Sequence, residues 1–176
     1  MRILGIDPGL NTTGYAVLEV TSLGPRVIEA GILRSFEGRK KTEMAERLVA
    51  LYSGIVEVIE DHHPEVASIE QLYAHYSHPQ TAILMGHARG ALMLACAQRS
   101  LRIISYNATR IKKTITGAGR ASKEQVQQTM LRELKLAVMP EPHDVADALA
   151  AALCHYYAEF ASGRPAVPMD AEDDPA

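Results

Sequence analysis

Two cysteines are all that the 176 residues contain. Both, Cys96 and Cys154, sit inside apolar helical patterns, so a disulfide framework is excluded. They read as small core residues of a reducing compartment. A chain of this length fits one domain and buries a core without such staples. No apolar run approaches the roughly 18–20 residues that span a bilayer. The chain enters a strand pattern at once, without the layout of a signal peptide. The expectation is therefore a cytoplasmic protein with no membrane partner. Cysteine and histidine never fall at zinc spacing, no Walker-type phosphate loop is present, and there is no internal repeat. A basic excess is missing too, with 18 Lys and Arg against 21 Asp and Glu, a net charge of −3.

That average conceals an uneven distribution. The stretch after Arg164 carries Asp170, Glu172, Asp173 and Asp174 and no base, which leaves 18 basic and 17 acidic residues in 1–164. Residues 99–135 hold nine bases (Arg99, Arg102, Arg110, Lys112, Lys113, Arg120, Lys123, Arg132, Lys135) against Glu124 and Glu133, a local charge of +7. Such clustering suits a polyanionic partner, although solvated helix faces produce it equally often.

The hydrophobic pattern predicts strands at 2–7, about 13–20 and about 26–35, joined as an antiparallel meander through the Gly24-Pro25 turn. A helix over 42–61, with Thr42 as its N-cap, leads to a fourth strand at 65–70. A loop at 71–79 precedes a long helix over 80–99, a fifth strand at 102–106 and a short helix at 108–115. Ser122 to Gln125 forms a capping box for a helix over 123–136, and the last helix runs from 142 to 161. This is an α/β layer fold whose first three strands are antiparallel and whose later strands are reached through helices. Residues 163–176 are expected to be a disordered acidic tail after a single domain spanning 1–162.

Two apolar strands end in acids, Asp7 and Glu70, at the strand ends where open α/β sheets place their sites. The last helix contributes Asp144 and Asp147, whose i, i+3 spacing puts both carboxylates on one face. That face continues with Ala148, Ala151 and Ala152, small enough to let the helix lie close to the sheet. Four clustered anions need a cation. Hard divalent ions take oxygen ligands, and a pair of them supports phosphodiester hydrolysis. Asp144 is preferred to its neighbour His143 as the ligand because of its spacing to Asp147; His143 is kept as a possible one. Each acid also has an ordinary reading: Asp7 could cap a turn, Glu70 could be a surface charge, and Asp144 and Asp147 could answer the helix dipole.

The ordered set of motifs resembles the RuvC family of Holliday-junction resolvases over about 1–160. It comprises Ile6-Asp7-Pro8-Gly9 with Gly14-Tyr15, Ile69-Glu70-Gln71 with Tyr73, and Gly86-His87-Ala88-Arg89-Gly90. Lys112-Lys113-Thr114 with Gly117-Ala118-Gly119, Lys123 to Gln127, and Asp144 to Ala150 complete it. The resemblance implies a ribonuclease H-like fold with a mixed five-stranded sheet and helices on both faces. It implies a homodimer that nicks two opposed strands of four-way junction DNA in recombination and repair. It also implies two Mg²⁺ or Mn²⁺ ions per active site, held by Asp7, Glu70, Asp144 and Asp147, and a branch-migration complex as partner. Tyr73, Lys112 and Lys123 match its DNA-contacting positions, and Arg89 and Lys113 are expected to contact DNA beside them. Gly86 and Gly90 would allow close packing, either within the chain or between two copies. The competing readings are a ribonuclease H-like nuclease for another nucleic acid, an actin-like ATPase opening on Gly5-Ile6-Asp7-Pro8-Gly9, and a catalytically inert DNA-binding scaffold.

Overall fold

Strand β1 (Arg2–Asp7) alternates its side chains between two layers. Leu4 and Ile6 enter one apolar cluster, Ile3 the other. The computed structural model describes residues 1–36, 42–72 and 79–161. Tyr73 and the acidic tail therefore lie outside the described residues. β1 pairs antiparallel with β2 (Thr12–Thr21), which pairs antiparallel with β3 (Gly24–Arg34). A helix, α1 (Met44–His62), returns the chain so that β4 (Val66–Gln71) lies parallel to β1, and α2 (Pro79–Gln98) does the same for β5 (Arg102–Asn107). The sheet order is β3-β2-β1-β4-β5. Three helices follow: α3 (Ala108–Thr116), α4 (Lys123–Glu133) and α5 (His143–Tyr156). The mixed five-stranded sheet with its antiparallel first three strands matches the sequence expectation.

The helices take both faces. α1 and α2 cover Leu4, Ile6, Val17, Ala67 and Ile69. α3, α4 and α5 cover Ile3, Ala16, Leu18, Val66, Ile104 and Tyr106. Several boundaries differ from the sequence reading. The N-cap of α1 is Glu43, not Thr42, and Glu46 three residues on accepts from the Glu43 N–H (3.2 Å). Helix α4 stops at Glu133, and Lys135 beyond it takes a left-handed φ of 50°. The last helix changes at Tyr157 into a π-helical turn over Tyr157–Ala161. Near that point the buried His155 meets Tyr106 Oη through Nδ1 (2.9 Å) and stands 2.7 Å from Glu159 through Nε2, within ion-pair range but off hydrogen-bond alignment.

Two glycines decide how close α5 comes. A Cβ on Gly5 would stand 2.1 Å from the Ala148 carbonyl oxygen, and one on Gly14 would stand 1.9 Å from that of Asp144. Ala148, Ala151 and Ala152 are fully buried against the sheet, as their size predicts. Ser68 Oγ donates to the Ala151 carbonyl (2.7 Å), so the helix is bonded to β4 as well as packed on it.

Gly86 and Gly90 have open space where a Cβ would stand, so neither mediates packing within the described chain. They lie on the outward side of α2, where Ile83 and Leu94 are more than half exposed.

Candidate active site

The four acids come from three elements that the packing of α5 draws together. Asp7 pairs with Gly14 at the end of β1. The parallel register Ile6↔Ile69 puts Glu70 beside Asp7 one residue further along. Asp144 touches the same place through its backbone, because its carbonyl oxygen occupies the room that Gly14 leaves. Asp147 follows one turn later on α5.

Asp7 does not hold the turn that follows it. Thr13 holds that turn, its Oγ1 donating to the Gly9 carbonyl (2.8 Å) and accepting from the Gly9 N–H (3.3 Å). Arg47 of α1 ties the other end down, donating to the Leu10 carbonyl (3.1 Å) and to the Asn11 side chain. The turn-cap reading of Asp7 thus has no support in the geometry.

All four acids are partly buried, and among the described residues none of their carboxylates makes a hydrogen bond or ion pair. Buried polar groups are normally satisfied, so an unsatisfied set of like charges needs a reason. Burial, then repulsion from Glu70, Asp147 and Asp144, pushes the Asp7 carboxyl up to about 8. Burial and then Asp147 push Glu70 up to about 7, with Lys112 and Lys123 opposing. Asp147 is also raised, first by burial, with Lys123, Lys112 and His143 pulling the other way and Asp144 adding to the rise. The acids are therefore within electrostatic reach of one another. Among the described residues, however, no three acidic, imidazole or thiolate side chains converge on one point at metal-binding distance.

Lys112 and Lys123 act on the acids without touching them, since neither forms an ion pair among the described residues. Lys113 belongs elsewhere. It lines an open groove of about 520 Å³ on the outer side of α3 together with Asn107, Thr109, Arg110 and Thr114. Lys113 and Arg120 also lack an ion pair among the described residues. At the far end of the molecule Arg2, Arg26, Arg99 and Arg102 are each matched to a glutamate. The start of α4 is already capped: Ser122 Oγ accepts from the Gln125 N–H (3.2 Å) and Gln125 Oε1 from the Ser122 N–H (2.8 Å).

Two positions behave differently from their sequence reading. His143 lies one turn before Asp147 and lowers its carboxyl, so i, i+4 spacing brings it to the site as well as Asp144. Its Nδ1 is buried without a hydrogen-bond partner among the described residues. Arg89 points inward from α2, with Nε donating to the Glu70 carbonyl (3.2 Å) and Nη2 to Ser105 Oγ (2.6 Å). The sequence reading missed Gly5 and Gly14 as the positions that admit α5; small residues in strands otherwise rich in β-branched and large apolar ones were the available signal.

Comparison with known proteins agrees with this architecture. The family model for the crossover junction endodeoxyribonuclease RuvC matches residues 3–155. A protein of that name from Rhodopirellula baltica is 48% identical over 157 residues, covering 88% of this chain and 85% of the relative. Another, from Pelotomaculum thermopropionicum, is 41% identical over 155 residues, covering 88% and 92%. Among solved structures, Thermus thermophilus RuvC in complex with a Holliday junction substrate superposes with a TM-score of 0.81 at 28% identity, over 92% of this chain and 97% of that one. By sequence match, structural superposition and strand order, this chain belongs to the RuvC family and has its ribonuclease H-like fold.

Proposed function

We propose that the protein is a Holliday-junction resolvase: an endodeoxyribonuclease that nicks opposed strands of a four-way DNA junction in recombination and repair. The observation that carries the reading is the set of four partly buried carboxylates without hydrogen bonds, two of them held near neutrality by burial and mutual repulsion. For an acid so placed the nearby lysines do not offset burial and repulsion, and a hard divalent cation would release it from that penalty. The donor set, all oxygen and all anionic, fits Mg²⁺ or Mn²⁺, two per site, with Asp7, Glu70, Asp144 and Asp147 as ligands and His143 as an additional candidate. Bound there, the ions would supply charge neutralisation and activation of the attacking water.

The chain's own residues perform the rest. Asp7 and Glu70, fixed on adjacent parallel strands, set one side of the site, and α5 brings Asp144 and Asp147 to the other. Lys112 and Lys123 stand close enough to lower the acids without neutralising them, which leaves their donors for phosphate oxygens. Lys113 and the groove of α3 extend that basic surface away from the acids. Tyr73, three residues after Glu70, keeps its proposed role as a stacking platform for a junction base.

A junction has two-fold symmetry and this domain carries one site, so the working unit is a homodimer. The outward side of α2 supports that reading: Ile83, Gly90 and Leu94 recur along one exposed stripe of open backbone and apolar side chains. A branch-migration motor is the further partner, and the cytoplasm the compartment.

Synthetic four-way junctions and linear duplex, each incubated without metal, with Mg²⁺ and with Mn²⁺, test the reading. Symmetric nicks in the junction alone, dependent on metal and absent in Asp7→Asn, are expected. Equal cutting of duplex would remove the junction selectivity, and full activity in Asp7→Asn would remove the metal site.

A further inference from the structure

Arg89 is placed unlike the other bases of the molecule. It sits on α2, on the opposite side of the sheet from the acids, and is half-buried. Its fork spans two strands, Nε reaching the carbonyl of Glu70 on β4 and Nη2 the hydroxyl of Ser105 on β5. Those strands are neighbours whose register pairs Ile69 with Ser105 and Glu70 with Tyr106. The charges that act on the Glu70 carboxyl are Asp147, Lys112 and Lys123. Arg89 reaches Glu70 through its backbone instead.

From this geometry we infer that Arg89 is a positioning residue for Glu70, clamping the C-terminal ends of β4 and β5 so that the carboxylate on the other face is held at one height and angle. β4 ends at Gln71, one residue after Glu70, so the ladder hydrogen bonds that fix the rest of the strand run out at this point. A guanidinium is suited to replace them. It is planar, permanently charged, and offers donors in a rigid fork that can hold two acceptors at a fixed separation. The inference rests on the proposed metal role of Glu70 and makes a claim opposite to a DNA contact for Arg89.

The test compares Arg89→Ala, Arg89→Lys and Ser105→Ala with the unsubstituted protein, in three measurements: Mn²⁺ affinity by electron paramagnetic resonance, junction affinity without metal, and single-turnover nicking at saturating protein. Arg89→Ala is expected to weaken Mn²⁺ binding and slow nicking by about 10–100-fold, the usual loss when a partner of a ligating residue is removed, with junction affinity unchanged. Arg89→Lys keeps one of the two bonds and should recover part of that loss. Ser105→Ala, which takes one acceptor from the clamp and leaves the arginine in place, should move Mn²⁺ affinity in the same direction by less. Should Arg89→Ala fail to fold, the other two variants decide the matter. Lower junction affinity with unchanged Mn²⁺ binding, or no change in any variant, overturns the inference. A protein that binds Mn²⁺ but leaves junctions uncut would defeat the resolvase reading while the Mn²⁺ titrations still judge Arg89. A protein that binds no Mn²⁺ defeats both.

Discussion

The two faces of the sheet are made from alternate residues of the same strands, yet they solve different problems. Toward α1 and α2, β1 sends Leu4 and Ile6 and β4 sends Ala67 and Ile69, all fully buried. Toward α5 the same strands send Gly5 and Asp7, and Ser68 and Glu70. The first face is filled by volume. The second is filled by closeness: backbone carbonyls of α5 lie where side chains would be, a serine bonds the helix directly, and acids occupy the strand ends. A face of the first kind is stable by itself. A face of the second kind brings carboxylates without hydrogen bonds under cover, and the proposed cation is what would offset their burial.

Substitutions of similar size should therefore have opposite signatures on the two faces. Leu4→Ala is expected to cost about 2–5 kcal/mol, with the melting temperature falling by about 2–4 °C for each kcal/mol. The molecules that remain folded should nick junctions at the normal rate. Gly14→Ala should cost less stability, about 1–3 kcal/mol for an overpacked site. Because its new methyl must displace the Asp144 backbone, it should remove cleavage. Calorimetry and a cleavage assay on the same samples check both, and equal loss of activity in the two variants would erase the distinction.

Metal-free stability sharpens the same contrast. Asp7 and Glu70 have folded-state values raised to about 8 and about 7. Between pH 4 and 8 the folded protein therefore holds protons that the unfolded chain has released, and its stability falls as pH rises through that window. Asp7→Asn should flatten the fall and raise the metal-free melting temperature at pH 8, whereas adding Mg²⁺ should achieve the same rise for the unsubstituted protein. A metal-free melting temperature that climbs from pH 5 to pH 8 would contradict the burial of these acids as uncompensated groups.

The smallest effect on the fold is expected at the outer side of α2. Leu94→Glu removes no contact from the core, so the melting transition of the subunit should move little, while sedimentation should change from dimer to monomer and paired nicking should give way to single nicks. A dimer that survives would place the interface elsewhere.

Much of the candidate site was legible because an acid ended an apolar strand twice, a pattern that needs no neighbours to be seen. The Ala148, Ala151 and Ala152 stripe was legible for the same reason, as a local periodicity. Gly5 and Gly14 were not, since their meaning is the distance to a helix at the other end of the chain. Arg89 read as a contact for DNA because it sits in a motif shared with a family of DNA-cutting proteins; its two acceptors, on β4 and β5, become its neighbours only when the sheet forms. His143 was ranked below Asp144 on a face argument, although its i, i+4 spacing to Asp147 also brings it near that acid. The cap of α1 fell one residue from its expected place because Glu43 and Glu46 together outcompete a single threonine.

The dependence of the proposed site on α5 also bears on when that site is assembled. Asp7 and Glu70 leave the ribosome early and can settle on neighbouring strands, but the acids proposed to complete the set belong to α5, near the C-terminal end of the described residues. Contacts of such long range form late in folding. A nascent or prematurely ended chain therefore carries half of the proposed site, and the docking of α5 on Gly5 and Gly14 is the step that would complete it.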